Sequence, residues 1–258
     1  MRLEGKVVVI TGASAGMGRT IVTRFVEEGA KVVAVARRKE VLEELKEDLA
    51  GGPGTVEIYA GDVSKQEVCQ GMIDFAVKKF GRLDVLINNA GIMDDMGAVG
   101  ELDEEMMERV FRLNTFGAMY AMKKAVQVFL AQGRDDPDAE RGNIINITSI
   151  GADHHTAGVA YCASKAALAS ATKNTAYMYM NEGIRCNAIA PGGIITDIFF
   201  NMPVSKEFGN SRVQNLVGLA PAMGEPETIA NAAVYLASSE SSYVNGQTLS
   251  VNGGWMNC

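Results

Sequence analysis

The 258-residue sequence lacks what a metal centre, a secreted scaffold or a membrane protein would need. Its two histidines, His154 and His155, are adjacent and far from any cysteine pair, so no zinc ligand set, and no metal site, is expected. Its four cysteines (Cys69, Cys162, Cys186 and Cys258) are scattered without a CxxC pair, and no apolar segment of signal-peptide type opens the chain. Reduced thiols and a cytoplasmic location are therefore expected. Six prolines and the absence of a long polar tract exclude a disorder-rich architecture. No apolar run approaches the ~18 residues of a membrane span. Basic residues number 24 against 31 acidic ones, a net charge of −7, which excludes a general nucleic-acid or membrane-surface binder.

What is present is globular: 47% of the residues are hydrophobic and 21% charged. Short apolar runs alternate with longer helical patterns. Val7–Ile10 and Lys31–Val35 read as the first two strands. Others are expected at Thr55–Ala60, Val85–Asn88, Asn143–Thr148, Ile184–Ala190 and Thr248–Val251. Helices are expected over 17–28, 39–49, 65–80, 104–131, 161–181 and 226–237, on apolar spacing of three and four. The strand runs show no polar alternation, so both of their faces are covered. The pattern predicts an α/β fold with a doubly wound parallel β-sheet, Rossmann-like and three-layered (α/β/α), in one domain spanning 1–258. The polar, acidic stretch 133–142 reads as an exposed loop.

The first strand runs into Thr11-Gly12-Ala13-Ser14-Ala15-Gly16-Met17-Gly18 and then directly into a helix. Glycines in that place let the backbone turn tightly and let a pyrophosphate approach the N–H groups of the helix N-terminus. The expected ligand is a dinucleotide. About 20 residues further on, an NAD-selective site carries an acidic residue for the ribose 2′-hydroxyl. Here Ala36 is followed by Arg37 and Arg38, whose forked donors suit a 2′-phosphate, and NADP(H) is favoured while NAD(H) stays possible.

Two Tyr–Lys pairs have the spacing that puts both side chains on one helix face, Tyr161–Lys165 and Tyr120–Lys124. An ammonium beside a phenol favours its ionisation, which makes the tyrosine a candidate acid/base. Context selects Tyr161. The strand before it ends in Ile147-Thr148-Ser149, which places a hydroxyl at the carboxyl edge of the sheet, where ligands of such folds bind.

Taken in order, the loop Thr11–Gly18, Asp62-Val63, Asn88-Asn89-Ala90-Gly91, Asn114, Ser149, Tyr161-Cys162-Ala163-Ser164-Lys165, Pro191-Gly192 with Thr196, and Val251-Asn252-Gly253-Gly254 resemble the short-chain dehydrogenase/reductase family over essentially the whole chain. The resemblance implies a catalytic set of Asn114, Ser149, Tyr161 and Lys165. Tyr161 would exchange a proton with the substrate oxygen, and Ser149 would bond that oxygen, with Thr148 as the alternative hydroxyl. Lys165 would hold the cofactor ribose, and Asn114 would anchor a water relay or, alternatively, sit at a helix kink. The cofactor would meet Gly12, Ser14, Ala15, Gly16, Met17 and Gly18, then Arg37, Arg38, Asp62, Val63, Asn89, Ala90 and Gly91. It would also meet Tyr161, Lys165, Pro191, Gly192, Ile194 and Thr196.

The resemblance also implies a homotetramer, or a homodimer, paired through the long helices. The substrate would be a small alcohol or ketone, contacted by Met93, His154, His155, Phe199 and Met202, with a lid around 197–218. Fourteen methionines and the run Ile198–Met202 suggest a bulky apolar substrate such as a hydroxysteroid. A ketoacyl thioester remains the alternative, as does a non-catalytic NADP(H)-binding sensor or scaffold.

Overall fold

The computed structural model describes residues 1–133, 139–196, 198 and 205–255. Seven parallel strands form one sheet in the order β3-β2-β1-β4-β5-β6-β7. They are β1 Val7–Thr11, β2 Lys31–Ala36, β3 Thr55–Ala60, β4 Val85–Asn88, β5 Gly142–Ile147, β6 Ile184–Pro191 and β7 Thr248–Val251. The helices are α1 Gly16–Glu27, α2 Lys39–Asp48, α3 Gln66–Phe80, α4 Glu104–Phe111, α5 Ala118–Ala131, α6 Val159–Tyr179, α7 Glu207–Val217 and α8 Pro226–Ala237.

Period two decides which face each strand residue supplies. Val8 and Ile10 of β1, with Val32 and Ala34 of β2, pack against Ile21 and Phe25 of α1 and Ile229 of α8. Their neighbours Val7, Val9, Val33 and Val35 turn the other way, onto Ile73 of α3, Phe129 of α5 and Leu168 of α6. Both faces are therefore apolar, as the uninterrupted strand runs require, and the three-layer α/β/α fold follows. The edges differ. Glu57 on β3 pairs with Lys46 and Lys79 at 2.8 Å each, a charged border that discourages further strand pairing.

The expected helix over 104–131 is present, with a departure in the middle. Residues Arg112–Gly117 form a π turn between α4 and α5. Such turns widen a helix by one residue and re-aim a side chain. The re-aimed side chain here is Asn114, which points inward and is 1% exposed. Helix α7 lies in the stretch expected to form a lid. Its pattern is weak because only Gly209 and Val213 are buried. Of the expected acidic loop 133–142, residues 134–138 lie outside the described set. No helix among the described residues is long and apolar enough to cross a membrane.

Phe129 is fully buried, and its ring lies so close over Gly142 that a Cβ there would collide with it. Phe129→Ala is expected to lower the free energy of unfolding by ~3–5 kcal/mol, as large buried rings do when truncated. Denaturant unfolding monitored by circular dichroism checks this; a loss under ~1 kcal/mol would mean that the layer repacks freely.

Candidate active site

Strand order reverses between β1 and β4, which opens a crevice at their carboxyl ends. Thr11 sits at its floor. Its hydroxyl accepts the Asn89 and Ala90 N–H groups at 3.0 and 3.1 Å, which locks the end of β1 to the end of β4. Above it runs the glycine loop. Gly12 has φ +71 and lies so near Asn89 that a Cβ would approach the amide nitrogen to 2.6 Å. A Cβ on Gly18 would collide with the Gly12 carbonyl oxygen. Gly16 packs against the Thr196 side chain, so the loop and the segment after β6 face each other.

Two cavities meet at Gly91. The smaller, about 220 Å³, is lined by Gly12, Ser14, Ala36, Arg37, Arg38, Asp62, Val63 and Ala90, among others. Arg38 donates to the Ser14 hydroxyl and carbonyl oxygens at 3.0 and 3.3 Å. Arg37 makes no ion pair among the described residues and lies near enough to Asp62 to influence its charge. Burial raises the Asp62 pKa, but hydrogen bonds from Ser64, with Arg37 and Lys65 nearby, leave it below the usual carboxylate value.

The larger cavity, about 300 Å³, holds Tyr161, Ser149 and Lys165 together with Met17, Asn89, Met93, Pro191, Gly192, Ile194 and Thr196. Burial pushes the Tyr161 phenol up to about 12, and a hydrogen bond with the Ser149 side chain opposes that rise. Burial also pushes the Lys165 ammonium down to about 8. Its Nζ donates to the Ile147 carbonyl at 2.9 Å and lies 5.8 Å from the centre of the Tyr161 ring. The Thr148 hydroxyl instead donates to the Ile189 carbonyl at 2.9 Å, which leaves Ser149 as the hydroxyl facing Tyr161.

Asn114 is brought to the same place by the π turn. Its Oδ1 accepts the Ile92 N–H at 2.9 Å, and its Nδ2 donates to the Ile92 carbonyl at 3.0 Å and to Ser164 Oγ at 3.1 Å. A Cβ on Gly91 would approach both Asn114 Oδ1 and Lys165 Nζ, at 3.2 and 3.3 Å.

Of the residues expected to contact substrate, Met93 lines the larger cavity, whereas Phe199 and Met202 lie outside the described residues. His154 and His155 are on the adjoining loop but not on the cavity wall; Thr156 and Ala157 take that place. The wall also carries Val213, Gln214 and Val217 of α7, inside the stretch expected to form a lid but not named as contacts from sequence, and Met223, which the sequence did not mark. Only three-dimensional proximity picks out these individual side chains. No cluster of metal-ligating side chains exists among the described residues.

Residues 12–256 match the family model described as "Enoyl-(Acyl carrier protein) reductase". The chain is 41% identical to 3beta-hydroxysteroid dehydrogenase 2 of Eggerthella lenta, over 98% of this chain and 95% of that protein. It is 36% identical to the 3-oxoacyl-[acyl-carrier-protein] reductase FabG of Thermotoga maritima, over 98% and 99%. Among solved structures it resembles levodione reductase, with a TM-score of 0.87, 29% identity and 98% of each chain covered.

A nicotinamide dinucleotide fits this crevice. The tightly wound glycine loop borders it, one cavity lies beside Arg37 and Asp62, and the other holds the Tyr–Ser–Lys group. Gly18→Ala is expected to weaken dinucleotide binding at least roughly tenfold, because the loop must open to admit the methyl group. Titration of cofactor fluorescence, with circular dichroism to confirm folding, checks it; unchanged binding would mean that the loop is not the cradle.

Lys165 also gives a stability prediction. Its pKa is lower in the folded chain, so between pH ~8 and ~10.5 the unfolded chain binds a proton that the native one does not, and the contribution of Lys165 to stability rises with pH there, against the opposite contribution of the buried thiols above pH ~9. Lys165→Met removes that contribution, so its slope in this window is expected to be less positive than the parent's. Unfolding free energies of the cofactor-free protein across this window check it, and an equal slope in both proteins would overturn it.

Proposed function

The chain belongs to the short-chain dehydrogenase/reductase family, and from that premise we propose that it is an NADP(H)-dependent oxidoreductase interconverting a secondary alcohol and a ketone on a bulky apolar substrate of hydroxysteroid type. The observation that carries this reading is the convergence of Tyr161, Ser149 and Lys165 on one cavity next to the glycine loop. That cavity's wall also carries Met93, Met96, Ile150, Ile194, Val213 and Val217, which suits a large apolar skeleton. The 41% identity to a protein named as a hydroxysteroid dehydrogenase points the same way. The segment around 197–218 serves as the lid over the substrate.

The bound nicotinamide supplies hydride exchange at the substrate carbon. The chain's own residues handle the oxygen. In reduction, the Tyr161 hydroxyl gives its proton to the carbonyl oxygen as negative charge builds there; in oxidation the phenolate takes it back. The Ser149 hydroxyl donates a hydrogen bond to the same oxygen. The Lys165 ammonium stabilises the phenolate through its charge and reaches the ribose. Asn114 is the strut behind this group: by holding both polar groups of Ile92 and the Ser164 hydroxyl, it fixes the start of the loop after β4 to α6. Gly12 to Gly18 would hold the pyrophosphate, Arg37 and Arg38 the 2′-phosphate, and Asp62 and Val63 would border the adenine. Asn89 to Gly91, Pro191, Gly192, Ile194 and Thr196 complete the wall.

The exposed apolar residues Phe116 and Met119, beside and on α5, and Tyr177 and Met178 of α6 support assembly through these helices into a homo-oligomer. A cytoplasmic location suits the free thiols of Cys69, Cys162 and Cys186. The ketoacyl-thioester reading draws on the 36% identity to the Thermotoga reductase. A carrier-docking patch of Lys123, Lys124 and Lys173 is weakened by the pairing of Lys124 with Asp74 at 2.6 Å.

The test is a turnover assay with NADPH and NADH against steroid ketones, ketoacyl thioesters and small diketones. Steroid ketones with NADPH are expected to give the highest kcat/KM, and Tyr161→Phe to lose ~10²-fold or more while still binding cofactor. Preference for thioesters would overturn the substrate assignment, and turnover surviving in Tyr161→Phe would overturn the mechanism. Arg37→Ala is expected to raise KM for NADPH roughly tenfold and to leave that for NADH nearly unchanged, since one charged bond to the 2′-phosphate is lost. Equal changes for both cofactors would remove the basis for NADP(H) preference.

A further inference from the structure

Helix α6 has no side-chain cap of its own. Its N-cap is Gly158, which has no side chain to offer the first-turn N–H groups. The cap comes from elsewhere in the chain. Asp94, on the arm that follows β4, is 1% exposed, and its carboxylate reaches across to accept the Tyr161 N–H at 2.9 Å and the Gly158 N–H at 3.1 Å. The same carboxylate accepts the Met96 N–H at 3.2 Å. Met96 is a non-glycine residue with φ +65, a backbone shape that needs such local support. Gly158 is required for the approach, because a Cβ there would collide with both carboxylate oxygens.

We propose that Asp94 is a positioning residue for the reaction: its buried carboxylate holds the first turn of α6, and so sets the place of Tyr161. The inference rests on the reading of Tyr161 as the acid/base. Met96 and Tyr161 pack together with Ala157 and Val213, so the clamp fixes the phenol and one wall of the substrate cavity at once.

The charge matters as well as the geometry. Lys165 and Cys162 face Tyr161 from its own helix, Ser149 from the end of β5, and Asp94 from the arm. From α7, Val213 contributes only apolar packing. Asp94 in turn faces Asp95, whose carboxylate is engaged by Ser205 at 3.0 Å and Lys206 at 3.8 Å, just before α7. Burial is the main reason the proton stays on Tyr161, the form that donates in carbonyl reduction; negative charge on Asp94 adds to it, and burial in turn raises the proton affinity of the Asp94 carboxyl itself.

Asp94→Ala and Asp94→Asn test this, with Tyr161→Phe alongside. The alanine variant loses all three bonds and is expected to lower kcat at least roughly tenfold, with cofactor affinity within about twofold of the parent. The asparagine variant keeps the shape and one acceptor oxygen but not the charge, and its NH2 turns toward an N–H group that the second carboxylate oxygen had accepted. It is expected to recover part of the kcat lost in the alanine variant while the Tyr161 limb of the kcat pH profile moves to lower pH. A parental kcat in Asp94→Ala, or an unmoved limb in Asp94→Asn, would reduce Asp94 to a helix cap and overturn the proposal, whatever the melting temperatures do. Turnover lost in Tyr161→Phe but kept in both Asp94 variants sinks the role of Asp94 alone. Turnover kept in Tyr161→Phe sinks the assignment of Tyr161, and this inference with it.

Discussion

Parallel strands cannot be joined by a tight turn; each needs a crossover, and that requirement organises the molecule. With all seven strands parallel, every carboxyl end emerges on the same side of the sheet. The reversal of order between β1 and β4 leaves a gap there that no crossover covers. The glycine loop after β1, the Asn89–Gly91 turn after β4, Ser149 after β5 and Thr196 after β6 all reach this one edge. Residues separated by well over a hundred positions thus become neighbours through connectivity alone. The Thr11 hydroxyl, accepting two N–H groups from the far side of the gap, fixes how wide that gap is.

Burial at this edge sets the chemistry. A phenol and an ammonium are enclosed together, and loss of hydration drives them in opposite directions, the phenol up to about 12 and the amine down to about 8. Both shifts favour the uncharged forms, so the cofactor-free site resists ionisation. A negative carboxylate at Asp94 reinforces proton retention on the phenol. The same burial explains why so much backbone is held by side chains here: Asn114 on Ile92, Asp94 on the first turn of α6, Ser149 on Gly151 at 3.0 Å. A polar group removed from water needs a partner, and each such bond also fixes a stretch of backbone at this edge.

The arm between β4 and α4 links two functions. Asp94 grips α6, while Glu101 accepts the Phe208 and Gly209 N–H groups at the start of α7, at 3.2 and 2.9 Å. Gly209 packs so closely on this arm that a Cβ there would collide with the Met96 carbonyl oxygen. The wall over the substrate cavity and the helix carrying Tyr161 are therefore mounted on the same short piece of backbone.

What the sequence determined by itself is what depends on neighbours in the chain. The apolar runs fixed the strands, because a strand covered on both faces needs no polar alternation, and all seven appear within a residue or two of the expected ends. The loop Thr11–Gly18 and the Tyr161–Lys165 pair were legible because turn geometry and helix spacing act over a few residues. Helix α7 was not, since only two of its residues are buried and its stability comes from the arm beneath it. The π turn at Asn114 was legible only as the alternative reading of that residue at a helix kink, for nothing local fixes its geometry. Tertiary structure alone decided that Thr156, Ala157 and the α7 residues wall the cavity while His154 and His155 do not. It also decided that Asp94 caps a helix 64 residues away. Contacts of that kind exist only after the crossovers have brought distant loops to one edge, and no periodicity or composition encodes which of them will touch.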